Sequence, residues 1–162
     1  MESSVSVAIA SDHAGFHLKE EICAYLRERG TPFHDFGVYR EEPADYPDQA
    51  LLVAEAVARG EYRYGILVCG TGVGMAIAAN KIPGIRAVVC SDTFSARMAR
   101  AHNDCNVLCL GGRVVGPGLA LELVATFLET EFLGERHAHR VEKIEAIQEK
   151  YRRPAAGPPE PR

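Results

Sequence analysis

Ile66-Leu67-Val68-Cys69-Gly70-Thr71-Gly72-Val73-Gly74 is a short apolar run that stops at a loop with glycine at every second position. The run lacks apolar–polar alternation, the mark of a strand covered on both faces, and Met75–Asn80 behind the loop reads as a helix. Outward from it the same pattern recurs. Val5–Ala10, Phe33–Phe36, Gly65–Cys69, Arg86–Cys90 and Asn106–Leu110 are β-rich runs separated by helix-length amphipathic segments. This alternation predicts a parallel sheet with helices on both faces. The runs ILVC and AVVC are both expected to be central strands.

Between the strands, Leu18, Ile22, Tyr25 and Leu26 share one helical face, as do Ala50, Val53, Ala54 and Val57. Gly30 and Gly60 close those two helices. Asp92–Ala101 and Gly118–Glu131 read as further helices, and Val141, Ile144, Ile147 and Tyr151 form an apolar seam on a last one. That seam has no strand of its own to cover. Packing on a second subunit and packing on the domain's own core are the alternatives. The reading is one domain over 1–151, followed from Arg152 by a Pro-rich tail, RRPAAGPPEPR, expected to be disordered.

Composition excludes several classes of function. A chain of 162 residues, 47% apolar and 25% charged, fits one compact domain. A net charge of −4 without a basic stripe gives nucleic acid nothing to bind. No apolar run approaches the roughly 20 residues that span a bilayer, and Met1–Val7 has no basic or apolar leader region. The five cysteines, Cys23, Cys69, Cys90, Cys105 and Cys109, form no CxxC pair and read as reduced thiols, so a cytoplasmic location is expected.

In open α/β sheets ligands bind beyond the carboxyl ends of the strands. Here those positions are polar: Ser11-Asp12-His13-Ala14-Gly15, Cys69 to Gly74, Ser91-Asp92 and Gly111-Gly112-Arg113. The backbone N–H groups of Gly70, Thr71, Gly72, Val73 and Gly74 can cradle an oxyanion, although a plain tight turn would use the same glycines. Neither familiar nucleotide loop is present, since GxGxxG requires glycine where Met75 stands and no GxxxxGK[ST] occurs. Positive backbone potential beside Cys69 favours a thiolate. Such a thiolate can act as the base of an aldose–ketose isomerisation, with loop amides holding the enediolate, or as a nucleophile with His102 as its base.

His102 lies in Ala101-His102-Asn103-Asp104, just before the fifth strand. It is expected near the Cys69 rim, serving the sugar ring oxygen as proton donor or acceptor. Arg113, Arg136 and Arg140, with His137, can surround one dianion. The pairs His13/His17 and His137/His139 have no carboxylate or cysteine at a recognised spacing, so no metal is expected.

Five segments in order, ASDHAGFHLKE, DYPDQA, ILVCGTGVGMAIAANKIPGIRAVVC, AHNDCNVLCLGGRVVG and ERHAHRVEKI, resemble the sugar-phosphate isomerase family. That family contains type B ribose-5-phosphate, galactose-6-phosphate and allose-6-phosphate isomerases, and the likeness runs from about Val7 to Tyr151. It implies a Rossmann-like α/β/α sandwich with a five-stranded, mostly parallel sheet. It also implies a homodimer with active sites at the subunit boundary; whether dimers pair further into a tetramer is left open by the sequence. The implied reaction is interconversion of ribose 5-phosphate and ribulose 5-phosphate in the pentose phosphate pathway, without cofactor or metal. A hexose 6-phosphate substrate and a non-catalytic phosphate-binding module are the alternatives.

Carried over by resemblance, Cys69 is the proton-transfer base, with Thr71 and the amides of Gly70 through Gly74 as the enediolate cradle. His102, helped by Asp12, opens the ring, while Tyr46 and Asn103 contact the sugar. His13, Arg113, Arg136 and Arg140 take the phosphate side, the last two from the partner chain. Family members lacking the cysteine place a glutamate base where this chain has Met75, so the chain resembles the cysteine subgroup.

Overall fold

The computed structural model of the chain describes residues 5–152, so all of the Pro-rich tail but Arg152 lies outside the described residues. Five strands alternate with helices: β1 (Val7–Ser11), α1 (Phe16–Glu28), β2 (Phe33–Asp35), α2 (Tyr46–Ala58), β3 (Tyr64–Cys69), α3 (Val73–Ala79), β4 (Ala87–Val89), α4 (Thr93–Asn103), β5 (Val107–Gly111), α5 (Pro117–Glu129) and α6 (Arg136–Lys150). The strands run in the order β2-β1-β3-β5-β4, and every pairing is parallel.

Side-chain alternation in the strands divides the core into two layers. Val7 and Ile9, Ile66 and Val68, and Leu108 and Leu110 pack with Ile22 of α1, Ala96 of α4 and Leu123 of α5. Ala8 and Ala10, Leu67 and Cys69, and Val107 and Cys109 pack with Val53 of α2 and Met75 of α3. The result is the parallel sheet with helices on both faces expected from the alternation, and the Rossmann-like α/β/α sandwich that the resemblance implies, with Gly30 and Gly60 at φ of 72° and 76° ending α1 and α2.

One expectation needs correction, and one alternative is decided. AVVC does not form a central strand, because β5 inserts between β3 and β4 and leaves β4 at the sheet edge, with Val89 40% exposed. The run is apolar, but chain order does not reveal spatial order. Of the two alternatives for the apolar seam, packing on the domain's own core is not found. That helix buries only His137 and packs on α4, leaving Ile144, Ile147 and Tyr151 exposed.

Sequence gave no sign of two buried cations. The fully buried Lys19 side chain reaches Asp35 at 2.6 Å, and Arg100 of α4 bonds Asp104 at 2.8 Å while lying over the Tyr64 ring. Without Asp35, Lys19 would keep only Glu20 at 3.2 Å, and without Asp104, Arg100 would keep the Cys105 carbonyl at 2.7 Å, so losing either carboxylate should destabilise the fold.

The other four thiols are packed away from solvent. Burial first, with Asp35 adding, pushes Cys23 up to about 12. Burial likewise raises Cys90 to about 12, Cys105 to about 11 and Cys109 well above its ordinary 9.0. Because the folded values are raised, the thiols leave stability intact below pH 9 and remove it as the unfolded chain ionises above that. Each contributes a slope of up to about 1.4 kcal/mol per pH unit. Stability against urea should therefore fall steeply between pH 9 and about 11, and Cys109→Ala should flatten that dependence.

Candidate active site

Three loops meet at the carboxyl edge of β1, β3 and β5, and glycine permits each approach. A Cβ on Gly15 would lie 2.3 Å from the Val68 carbonyl oxygen, and one on Gly112 would lie 2.7 Å from that of Ala14. The Gly112 N–H donates to the Cys69 carbonyl at 2.8 Å, and the Arg113 N–H to that of Gly70 at 3.0 Å. The Arg113 guanidinium therefore lies beside Gly70.

Cys69 ends β3 with its side chain on the α2–α3 side of the sheet, only 4% exposed. Its Sγ accepts the Gly72 N–H at 3.1 Å. Gly72 can aim that N–H inward because its φ is 82°, a left-handed conformation that costs glycine little. A backbone donor held on sulfur stabilises it when it carries negative charge. Next to it, the exposed Thr71 turns its Oγ1 to accept the Val73 N–H at 3.3 Å. Met75 is fully buried in the core and its thioether has no proton to exchange, so Cys69 is the titratable side chain between residues 69 and 75.

Facing the loop are Asp12, His13 and Tyr46. Asp12 is 5% exposed and accepts the Gly15 N–H at 3.0 Å. His13 Nδ1 accepts the Ala44 N–H at 3.2 Å, which leaves Nε2 to carry the proton and act as donor. A cleft of about 450 Å³ lies between Asp12, His13, Ala44 and Tyr46. The Tyr46 ring covers Gly74, where a Cβ would come within 2.6 Å of it. Gly74→Ala should thus displace the ring without harming the helix, since alanine is the better helix former. Steady-state kinetics should show KM rising on the order of 10-fold, one lost contact of about 1.4 kcal/mol, with kcat little changed.

The remaining predicted residues are elsewhere. His102 and Asn103 close α4 at the amino edge of the sheet, because a helix that follows one parallel strand must return to the start of the next. Within one chain they are separated from the Cys69 rim by the length of β5, four steps or about 13 Å, so the expected proximity of His102 to Cys69 is not found. They meet α6 instead. The His102 and His137 rings stack 4.1 Å apart and 6° from parallel, and Arg136 and Arg140 project from the same first turns of α6, both exposed. Burial first, then His102, Arg136 and Arg140, holds His137 below the usual histidine value.

One chain thus places the candidate residues in two groups, at opposite edges of the sheet. The carboxyl edge has Cys69, Thr71, the loop amides, Asp12, His13, Tyr46 and Arg113. The amino edge has His102, Asn103, Arg136 and Arg140. Sequence reading missed Arg86, whose guanidinium bonds the Asn103 carbonyl at 3.0 Å and Glu145 of α6 at 2.7 Å. Its position just before β4, at the same edge, was the available signal.

Known proteins are similar to this chain in sequence and in fold. The model of the ribose/galactose isomerase family matches residues 7–144. The ribose-5-phosphate isomerase B of Escherichia coli K12 is 54% identical over 144 residues, 89% of this chain and 97% of that protein. The D-erythrulose-4-phosphate isomerase of Pectobacterium atrosepticum is 46% identical over 142 residues, covering 86% of this chain and 93% of that protein. The solved structure of Clostridium thermocellum ribose-5-phosphate isomerase B superposes with a TM-score of 0.90 at 55% identity, over 91% of this chain and all of that one. By match of sequence and fold over most of its length, the chain belongs to the ribose/galactose isomerase family, and is a sugar-phosphate isomerase.

Proposed function

We propose that this chain interconverts ribose 5-phosphate and ribulose 5-phosphate, a step of the pentose phosphate pathway, with no cofactor or metal. The observation that carries the reading is the Cys69 sulfur at the end of β3, accepting the Gly72 N–H inside a glycine cradle. A thiolate there takes the proton from C2 of the open-chain aldose. The electron pair forms the C1–C2 double bond, and the charge that develops on O1 falls to the amides of Gly70 through Gly74. Cys69 then returns its proton to C1. The O2 proton is relocated to O1 beside Thr71, whose hydroxyl can both donate and accept.

Two copies complete the site. His102 and Asn103 of one chain, with its Arg136 and Arg140, face the Cys69 rim of the other. His102 opens the ring, helped by Asp12, and Tyr46 and Asn103 hold the sugar. The phosphate lies between His13 and Arg113 of one chain and Arg136 and Arg140 of the other. Exposed Ile77, Phe94, Ile144 and Ile147 supply apolar surface for a second copy to cover. Five unpaired thiols suit the reducing cytoplasm, and no helix among the described residues is long and apolar enough to cross a membrane.

The test is conversion of ribose 5-phosphate by the purified chain in EDTA. Ribulose 5-phosphate should accumulate to the same equilibrium ratio from either side. Binding without conversion would overturn the reading in favour of a phosphate-binding module. The relative named for a four-carbon phosphate gives a second reading, a substrate of different length. Comparison of kcat/KM on four-, five- and six-carbon phosphates, including allose and galactose 6-phosphates, decides it. The five-carbon sugar should lead by about 10-fold or more.

A further inference from the structure

Arg86 connects the two groups of residues at the amino edge. Its side chain is 18% exposed, and its donors diverge. Nε reaches the carbonyls of Asn103 at 3.0 Å and Asp104 at 3.2 Å. Nη2 reaches the Asp104 carbonyl at 2.9 Å and its carboxylate at 3.4 Å, while Nη1 bonds Glu145 of α6 at 2.7 Å. Asp104 is held from the inner side as well, by Arg100 at 2.8 Å. These contacts fix it at a φ of 46°, the left-handed turn that ends α4 just after His102 and Asn103.

Helix α6 has few other ties to the domain. His137 anchors its first turn against His102. Glu145 lies eight residues further on, about 12 Å along the axis, so the bond to Arg86 is the second anchor that sets the helix direction. A lysine could not replace it, because one ammonium cannot reach the Asn103 and Asp104 carbonyls and Glu145 in divergent directions.

We propose that Arg86 is a positioning residue: it sets the spacing between the ring-handling pair His102 and Asn103 and the phosphate-binding pair Arg136 and Arg140. It thereby acts on the site of the other subunit rather than on the Cys69 rim of its own chain. The inference rests on the two-chain site described above. A misplacement of about 1 Å in such a group costs on the order of 100-fold.

The experiment uses Arg86→Met, Arg86→Lys and Glu145→Gln in the full chain. Arg86→Met should lower kcat/KM for ribose 5-phosphate about 100-fold through both constants. Arg86→Lys should fall in between, and Glu145→Gln, which releases only α6, should raise KM and leave kcat nearly intact. Should Arg86→Met fail to fold, the other two variants carry the test.

Each variant is then co-refolded with Cys69→Ala chains. A mixed dimer pairs the intact Cys69 rim of the first chain with the intact amino edge of the second, so one site of its two is whole. For Arg86→Met, activity should return to roughly a quarter of the wild-type value, the statistical share of whole sites. Wild-type kinetics in all three variants would overturn the proposal. So would a mixture that stays inactive while His102→Asn with Cys69→Ala recovers. Failure of that control would instead overturn the two-chain reading itself.

Discussion

Cys69→Ala should lower kcat for ribose 5-phosphate on the order of 10⁴-fold while phosphate-ester binding persists, because it removes the proposed carrier of the C2 proton. The glycine loop keeps its shape in that variant: Gly72 holds its left-handed φ and Gly112 still donates to the backbone carbonyl of residue 69. Cys69→Ser sharpens the test. Its hydroxyl fills the space and can accept the Gly72 N–H, yet it is far too weak an acid to be ionised near neutrality. Loss of turnover in both variants, with binding measured by calorimetry kept, separates proton transfer from packing. Near-normal turnover in either would remove Cys69 from the role of base.

The second large effect divides the reaction. Ribose 5-phosphate is mainly a ring that must open, whereas ribulose 5-phosphate has its C5 oxygen esterified and stays open. His102→Asn should therefore lower isomerisation of ribose 5-phosphate on the order of 10³-fold. It should largely keep exchange of the C1 hydrogen of ribulose 5-phosphate with deuterated solvent, followed by NMR. Cys69→Ala should lose both. If His102→Asn lost the exchange as fully as the isomerisation, His102 would belong to the enediolate step and not to ring opening.

Much of this is legible in the sequence. Apolar runs ending in polar loops located β1, β3 and β5 and hence the rim with Asp12, Cys69 and Arg113. Periodicity could not order the strands: AVVC is as apolar as ILVC, yet β4 lies at the edge because β5 inserts beside β3. His102 was misplaced for a reason the sequence did contain. In a parallel sheet a residue just before a strand lies at the opposite end from one just after, and His102 precedes β5 whereas Cys69 ends β3. The buried pairs of Lys19 with Asp35 and Arg100 with Asp104 were not legible, since they join residues whose types alone suggest solvated surface.

The central claim is an isomerase whose base and ring-opening group come from different chains. Its most direct test mixes two inactive proteins, Cys69→Ala and His102→Asn, after joint unfolding and refolding. Activity on ribose 5-phosphate should rise to roughly a quarter of wild type, since a mixed dimer holds one site with both groups intact. Activity no higher than that of the separate variants would contradict the account.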